Sequence, residues 1–296
     1  MQLDELAAQI NKPPEGKTLL IYGDAKTGKS SLAATVAKAQ KIKRVDWFDT
    51  ENGQERLITM VKTGELTKEE AAKIRVFRIR DAVEEPYAFE TLAKLVGLRR
   101  PLDICDMHGR DMKNCQECTK AKASFQSFNM QEHNPETAIV IDSLSQLSDS
   151  IMHFYNEGKM LKGTAGMDAY REQGLRLVEF LTEVQRGKTN WICITHTAVI
   201  ELEAGSERIA PVDYKGPKEE RRYPLVGTRP FSMKVGKYFA HVAYLKVRLR
   251  QHQGGSSTTY QGDVITGSRT DWELESQLDK EKKPIMSLVP LFDGES

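Results

Sequence analysis

No apolar run in this 296-residue sequence approaches the ~20 residues that a helix needs to span a bilayer, so no membrane contact is expected. The amino terminus, Met1-Gln2-Leu3-Asp4-Glu5-Leu6, lacks the basic-then-apolar pattern of an export signal, and the expectation is a chain that stays in a reducing cytoplasm. Cysteine is sparse: four residues, three of them inside one short segment. A disulfide framework is therefore not expected. Nor does charge of either sign dominate. Lys and Arg total 43 against 42 Asp and Glu, a net of +1, so whole-chain charge neither selects nor excludes a polyanion and its local placement has to decide. With 39% hydrophobic residues the chain can bury a sizeable core, as one large domain or one domain with insertions.

What the sequence does contain is Gly23-Asp24-Ala25-Lys26-Thr27-Gly28-Lys29-Ser30, a fit to G-x-x-x-x-G-K-[ST] placed between the apolar run Thr18-Leu19-Leu20-Ile21-Tyr22 and the helical Ser31-Leu32-Ala33-Ala34-Thr35-Val36-Ala37. That context is strand, phosphate loop, helix. Glycines let the backbone wrap closely, so successive N–H groups and the positive start of the helix can hold the polyphosphate of ATP while Lys29 reaches the β and γ oxygens. Ser30 is the candidate Mg²⁺ contact, and Ser31 completes the set of nucleotide-binding residues. Asp24 stands where a variant loop would carry a second signature lysine, so the ordinary loop is the better reading.

Along the chain, residues 1–17 read as a short amphipathic helix ended by Pro13-Pro14-Glu15-Gly16. Arg44-Val45-Asp46-Trp47-Phe48 reads as a buried strand ending in Asp49-Thr50-Glu51. Acids at the carboxyl end of a parallel strand lie on the ligand face of an open α/β sheet. Glu51 is thus a candidate to polarise the water that attacks a γ-phosphate; the competing reading is that it merely opens the next helix. Ile74 to Arg80 alternates like a strand, and Tyr87 to Leu98 has helical spacing. Between Pro101 and Pro135 the apolar pattern fades and Cys105-x-x-His108 and Cys115-x-x-Cys118 appear. Two x-x pairs can close a tetrahedral Cys₃His site, so this stretch is expected to be an inserted structural zinc knuckle that cannot fold without Zn²⁺; a loop with unrelated thiols and an iron–sulfur cluster are the alternatives.

Ala138-Ile139-Val140-Ile141 leads into Asp142-Ser143, the form of a Walker B strand whose carboxylate holds Mg²⁺. Residues 158–167 are glycine-rich and read as a mobile loop. Asp168 to Arg186 reads as an amphipathic helix with Leu175, Leu177, Val178, Leu181 and Val184 on its apolar face. The strand Trp191-Ile192-Cys193-Ile194 delivers Thr195 and His196 to the same sheet edge as Asp142, where His196 is either a γ-phosphate sensor or a capped strand end. From Glu201 to Pro230 the sequence is polar, punctuated by Gly and Pro, and reads as a long loop. Between Arg208 and Arg250 eleven basic residues face three acidic ones. This field, with Tyr214, Tyr223 and Phe231 interleaved, suits single-stranded nucleic acid, with Lys215, Lys218, Arg221, Arg222 and Arg229 as candidate contacts; a solvated loop is the plain alternative. Phe239 to Leu249 and Thr258 to Ile265 alternate around Gln253-Gly254-Gly255-Ser256 as a hairpin, and 276–296 reads as a loosely held tail.

Strands followed by helices, with polar residues collected at strand ends, give an α/β fold: a mostly parallel sheet extended by a C-terminal antiparallel hairpin. The order of motifs, phosphate loop, Asp49-Thr50-Glu51, Ile141-Asp142-Ser143, Thr195-His196 and hairpin, resembles the RecA/RadA ATPase core. It resembles most the phage-encoded AAA-type nucleotide-binding proteins of the Sak single-strand annealing group. The resemblance covers about residues 15–270, interrupted by the cysteine segment, so the core is drawn as 1–275 with 101–135 inserted. It implies an ATPase, stimulated by DNA, acting on single-stranded DNA in phage recombination, annealing or replication in a bacterial host cytoplasm. Ring or filament homo-oligomers and a single-strand DNA-binding protein are the implied partners. It implies roles for Lys29, Ser30, Glu51, Asp142 and His196 as above, although bacterial recombinases carry glutamine at the sensor. It also matches Arg269 to the hairpin cation that completes a neighbour's ATP site, and two DNA-binding loops to about 155–167 and 199–230. A DnaB-like helicase motor shares the core but is expected to bring a larger amino-terminal module. A nucleotide-bound scaffold without significant turnover shares the same binding residues.

Overall fold

The computed structural model describes residues 16–82, 85–97, 100–156, 166–252, 255–266 and 287–293, with backbone only for 246–252 and 255–266. Its strands are β1 Thr18–Gly23, β2 Arg44–Asp49, β3 Ile74–Arg78, β4 Leu102–Cys105, β5 Phe125–Phe128, β6 Thr137–Asp142, β7 Asn190–Thr195, β8 Thr197–Glu203, β9 Lys218–Pro224, β10 His241–His252 and β11 Gly255–Thr266. Its helices are α1 Lys29–Ala34, α2 Gln54–Lys62, α3 Lys68–Ala72, α4 Tyr87–Gly97, α5 Gln116–Ala121, α6 Leu144–Tyr155, α7 Met167–Arg186, α8 Arg229–Ser232 and α9 Val289–Asp293. Residues 1–15 of the helix expected over 1–17, most of the glycine-rich loop, Arg269 and most of the tail lie outside the described residues.

Seven strands form one sheet in the order β11-β10-β1-β7-β6-β2-β3. Every neighbouring pair is parallel except β10 with β11. Parallel strands covered on both faces read as unbroken apolar runs, and β1, β6 and β7 are buried at every residue. Successive side chains point to opposite faces, which sorts the core into two layers. Leu20, Phe48, Ile141 and Cys193 pack under α4, α6 and α7, whereas Leu19, Trp47, Val140 and Ile194 pack under α1 and α2. On α7, Leu177, Phe180, Leu181 and Val184 are buried as the spacing requires, but Leu175 and Val178 are exposed.

The cysteine segment is not an isolated knuckle. β4 and β5 pair antiparallel, and Leu102, Ile104 and Phe128 belong to the main core, with the Phe128 ring edge-on to Phe48 at 5.2 Å. Gly109, at φ +72°, presses on the end of β3: a Cβ there would lie 2.3 Å from the Arg78 carbonyl oxygen.

Two expectations need correction. The stretch read as a long loop after Glu201 contains an antiparallel ribbon, β8 with β9. Ile200 and Leu202 of β8 are buried, an alternation too short and too charged on its partner strand to register as core. The tail is not loose throughout, because Leu288 and the α9 residue Phe292 dock into the α1 layer and the Asp293 carboxylate accepts the backbone N–H groups of Gln40 and Lys41, both at 3.0 Å. The terminal hairpin is longer than the alternation indicates. β1 pairs with β10 only from His241 to Leu245, and the ribbon continues beyond to His252, paired with β11 alone.

Candidate nucleotide site and a cysteine cluster

The loop between β1 and α1 closes around its own backbone. Gly28 takes φ +91° at the helix start, a conformation that favours glycine. Thr27 Oγ1 donates to the Asp24 carbonyl at 2.9 Å. The Lys29 ammonium donates to the carbonyls of Gly23 at 2.9 Å and Asp24 at 2.8 Å, so the cation is held within the cradle. Burial pulls its pKa down, opposed by the charges of Asp142, Glu51 and Asp24. A Cβ on Gly23 would sit 2.6 Å from the Leu245 carbonyl of β10 and 2.7 Å from Thr27 Oγ1, which explains glycine at the turn.

Ser30 Oγ donates to Asp142 Oδ2 at 2.9 Å, placing a hydroxyl and a carboxylate oxygen side by side at the ends of α1 and β6. Both are hard oxygen donors of the kind Mg²⁺ takes, and two such ligands leave room for water and phosphate. Asp142 is pushed up to about 7, first by burial and then by the charges of Asp49 and Glu51, against the hydrogen bond from Ser30. A buried carboxylate held this way is a site that a cation would relieve. The Asp142–Ser143 peptide is cis.

Two residues apart at the end of β2, Asp49 and Glu51 do different things. The Asp49 carboxylate accepts the backbone N–H groups of Glu51, Gly53 and Gln54 at 3.2, 2.8 and 3.1 Å. The helix-start duty thus falls to Asp49. Glu51 instead accepts from Ser143 Oγ and pairs with His196 Nε2 at 2.9 Å. Burial alone would raise the Glu51 carboxyl; hydrogen bonds from His196 and Ser143 outweigh it, and the net shift is downward. His196 is fixed from behind, its N–H donating to Ser145 Oγ at 3.0 Å and its carbonyl accepting the Leu225 N–H at 2.8 Å. A cavity of about 940 Å³ opens here, lined by the loop from Ala25 to Leu32 and by Glu51, Asn52, Arg56, Asp142 and His196. Its size suits a nucleotide.

Sequence reasoning missed Arg56. On α2, its Nε donates to Ser31 Oγ at 2.6 Å and its Nη2 to Glu65 at 2.7 Å, so it forms part of the wall beside the loop. The only hint was a basic residue one turn into the helix that follows an acidic strand end.

Cys105, His108, Cys115 and Cys118 come together, their ligand atoms all within 4.8 Å of one another. His108 Nδ1 lies 3.3 Å from both Cys115 Sγ and Cys118 Sγ, while its Nε2 faces Glu117 at 3.6 Å. Cys105 Sγ accepts the Arg110 N–H at 3.4 Å. Structural Zn²⁺ takes three Cys and one His in a closed tetrahedral set, and four such donors within 4.8 Å of one another are of the right kind and closeness to hold it.

The five cations expected to meet nucleic acid are not alike. Lys218 pairs with Glu201 at 2.8 Å, Arg221 with Glu219 at 3.0 Å, and Arg222 with Asp24 of the phosphate loop at 2.6 Å. Lys215 and Arg229 are exposed.

Sheet order, phosphate loop and convergent strand ends define an α/β P-loop fold. The chain belongs to the AAA domain family, whose model matches residues 15–215. No curated protein matches the chain. Similar solved structures include an ATPase from the type III secretion system of pathogenic bacteria, at 11% identity and TM-score 0.41, covering 78% of this chain and 52% of that one. The chain therefore spans about half of that ATPase's length. The RadB recombinase matches at 16% identity and TM-score 0.38, over 86% and 92% of the two chains. The flagellar accessory protein FlaH from Methanocaldococcus jannaschii matches at 12% identity and TM-score 0.41, over 90% and 86%. Among the described residues no helix is long and apolar enough to cross a membrane.

Proposed function

We propose that this chain binds and hydrolyses ATP and couples that cycle to single-stranded DNA. The observation that carries the reading is the convergence of Lys29, Ser30, Glu51, Asp142 and His196 on one cavity of about 940 Å³. Lys29 exchanges its two carbonyl partners for β and γ oxygens. Ser30 and Asp142 would hold Mg²⁺, which when bound would supply positive charge against the charge that develops on the phosphate. Glu51, ionised and oriented by His196 and Ser143, takes the proton of the attacking water. Because His196 also hydrogen-bonds the residue that follows β9, it is the group through which the nucleotide state reaches the β8–β9 ribbon.

The DNA half of the proposal rests on the eleven basic and three acidic residues between Arg208 and Arg250, with Lys215 and Arg229 exposed alongside Arg208, Lys218, Arg222, Lys234 and Lys237. The finer reading is a phage annealing or recombination protein in a host cytoplasm, assembled as a ring or filament, with Arg269 acting on a neighbour and a single-strand DNA-binding protein as partner. Zn²⁺ on Cys105, His108, Cys115 and Cys118 completes it. The helicase and scaffold readings share the same pocket; unwinding of duplex DNA, or nucleotide binding without turnover, would mark them.

The test is fluorescence anisotropy on labelled single strands across a salt series, with and without a non-hydrolysable ATP analogue, in the parent and Lys29→Ala. Affinity should fall with salt at a log–log slope of about −0.7 per phosphate neutralised, and the analogue should shift affinity in the parent alone. Binding indifferent to salt and nucleotide would refute the DNA coupling.

A further inference from the structure

Arg222 lies on β9, opposite Val199 of β8, yet its guanidinium leaves the ribbon and meets the phosphate loop. Nη1 stands 2.6 Å from Asp24 Oδ2, across 198 residues of sequence. The end of the ribbon is anchored two ways: the Leu225 N–H donates to the His196 carbonyl, and Ser145 Oγ donates to the Leu225 carbonyl, both at 2.8 Å. Arg222 is therefore hung over the loop from a fixed point three residues away.

Asp24 presents an electrostatic problem. It is the second residue of a loop built to receive a polyphosphate, and its carbonyl already accepts hydrogen bonds from Lys29 and Thr27. The side chain adds a negative charge at the lip of an anion site, where it opposes the work of Lys29 and the backbone N–H groups. A planar guanidinium held at hydrogen-bond distance cancels that charge.

We infer that Arg222 is a positioning residue of the nucleotide loop, supplied in cis by the β8–β9 ribbon, which neutralises Asp24 so that the loop can hold a polyphosphate. The inference rests on the reading of this loop as a nucleotide site. Since both partners are about half exposed, the pair adds little to folding. Its loss registers on binding. A further consequence concerns the ribbon: a polyanion that captures Arg222 leaves Asp24 uncompensated and weakens nucleotide binding, and by linkage nucleotide weakens the polyanion's hold on that residue.

The experiment is calorimetric titration of the full chain with ADP and a non-hydrolysable ATP analogue, for the parent, Arg222→Ala, Arg222→Lys, Asp24→Asn, the Asp24→Asn/Arg222→Ala double variant and Lys29→Ala. Arg222→Ala should weaken nucleotide by about tenfold, at the lower end of ordinary site coupling, and Arg222→Lys should recover part of the loss. Asp24→Asn should bind at least as tightly as the parent. The double variant should return to within about twofold of Asp24→Asn, because neutralising a charge that is absent achieves nothing. A double variant as weak as Arg222→Ala would overturn the inference, as would weakening by Asp24→Asn alone or an unaltered Arg222→Ala. If Lys29→Ala bound as well as the parent, the nucleotide reading itself would fail, an outcome separate from either.

Discussion

Asp46 illustrates how much a single buried residue can organise. It is fully buried on β2, where Arg75 donates through Nε at 2.7 Å and Nη2 at 3.0 Å and His133 Nε2 approaches at 2.7 Å. Burial by itself would raise the Asp46 carboxyl, but hydrogen bonds from His133 and Arg75 outweigh it and the group titrates below its ordinary value of 3.8. A carboxylate depressed on folding stabilises the protein above its unfolded pKa, and that contribution fades as pH falls from there through the lower folded value. Asp46→Asn should therefore cost about 2–3 kcal/mol at pH 7, less than a fully buried pair because Arg75 can re-solvate. The deficit should shrink as pH approaches 2. Urea titrations at both pH values measure it; an equal deficit at each would contradict the ionic account. Nothing in the sequence marks Asp46, since its partners lie 29 and 87 residues away.

At the scale of elements, what was legible followed burial. β1, β6 and β7 are apolar because helices cover both faces, and their polar ends could be assigned to one edge from the parallel α/β pattern alone. The ribbon β8–β9 escaped because β9 is Lys218-Glu219-Glu220-Arg221-Arg222-Tyr223-Pro224, a run with no apolar alternation, held by pairing and cross-strand charge rather than by a core. The cysteine segment was legible as a ligand set but not as part of the hydrophobic core, because Leu102, Ile104 and Phe128 join the main cluster from a distant stretch of sequence, Phe128 meeting Phe48 of β2 and Phe77 of β3. That double anchoring leads to a graded expectation. Chelation or Cys115→Ser should remove one Zn²⁺ per chain and open residues 105–123 to protease, while β4 and β5 stay docked through Phe128. Elemental analysis and limited proteolysis decide it; metal-free protein with that stretch equally resistant would rule out the zinc staple.

Over the whole molecule, the site is assembled from a loop and three strand ends that the sheet order brings together: β1, β7, β6 and β2 lie side by side although their sequences span residues 18–195. The sequence could name Lys29 and Ser30 from the phosphate-loop motif, and Glu51, Asp142 and His196 because each lies at the polar end of an apolar run, but not the pairing of Glu51 with His196, nor that of Arg222 with Asp24. Those depend on side-chain reach across the sheet edge. The claim that unites the account is that Glu51 activates water at this edge. Single-turnover ATP hydrolysis by the parent and by Glu51→Gln, with nucleotide affinity measured on the same samples, tests it most directly. Unchanged affinity with hydrolysis slowed by about 10²-fold or more is the predicted result, since an amide fills the same space but accepts a proton poorly. Hydrolysis at the parent's rate with affinity intact would contradict it.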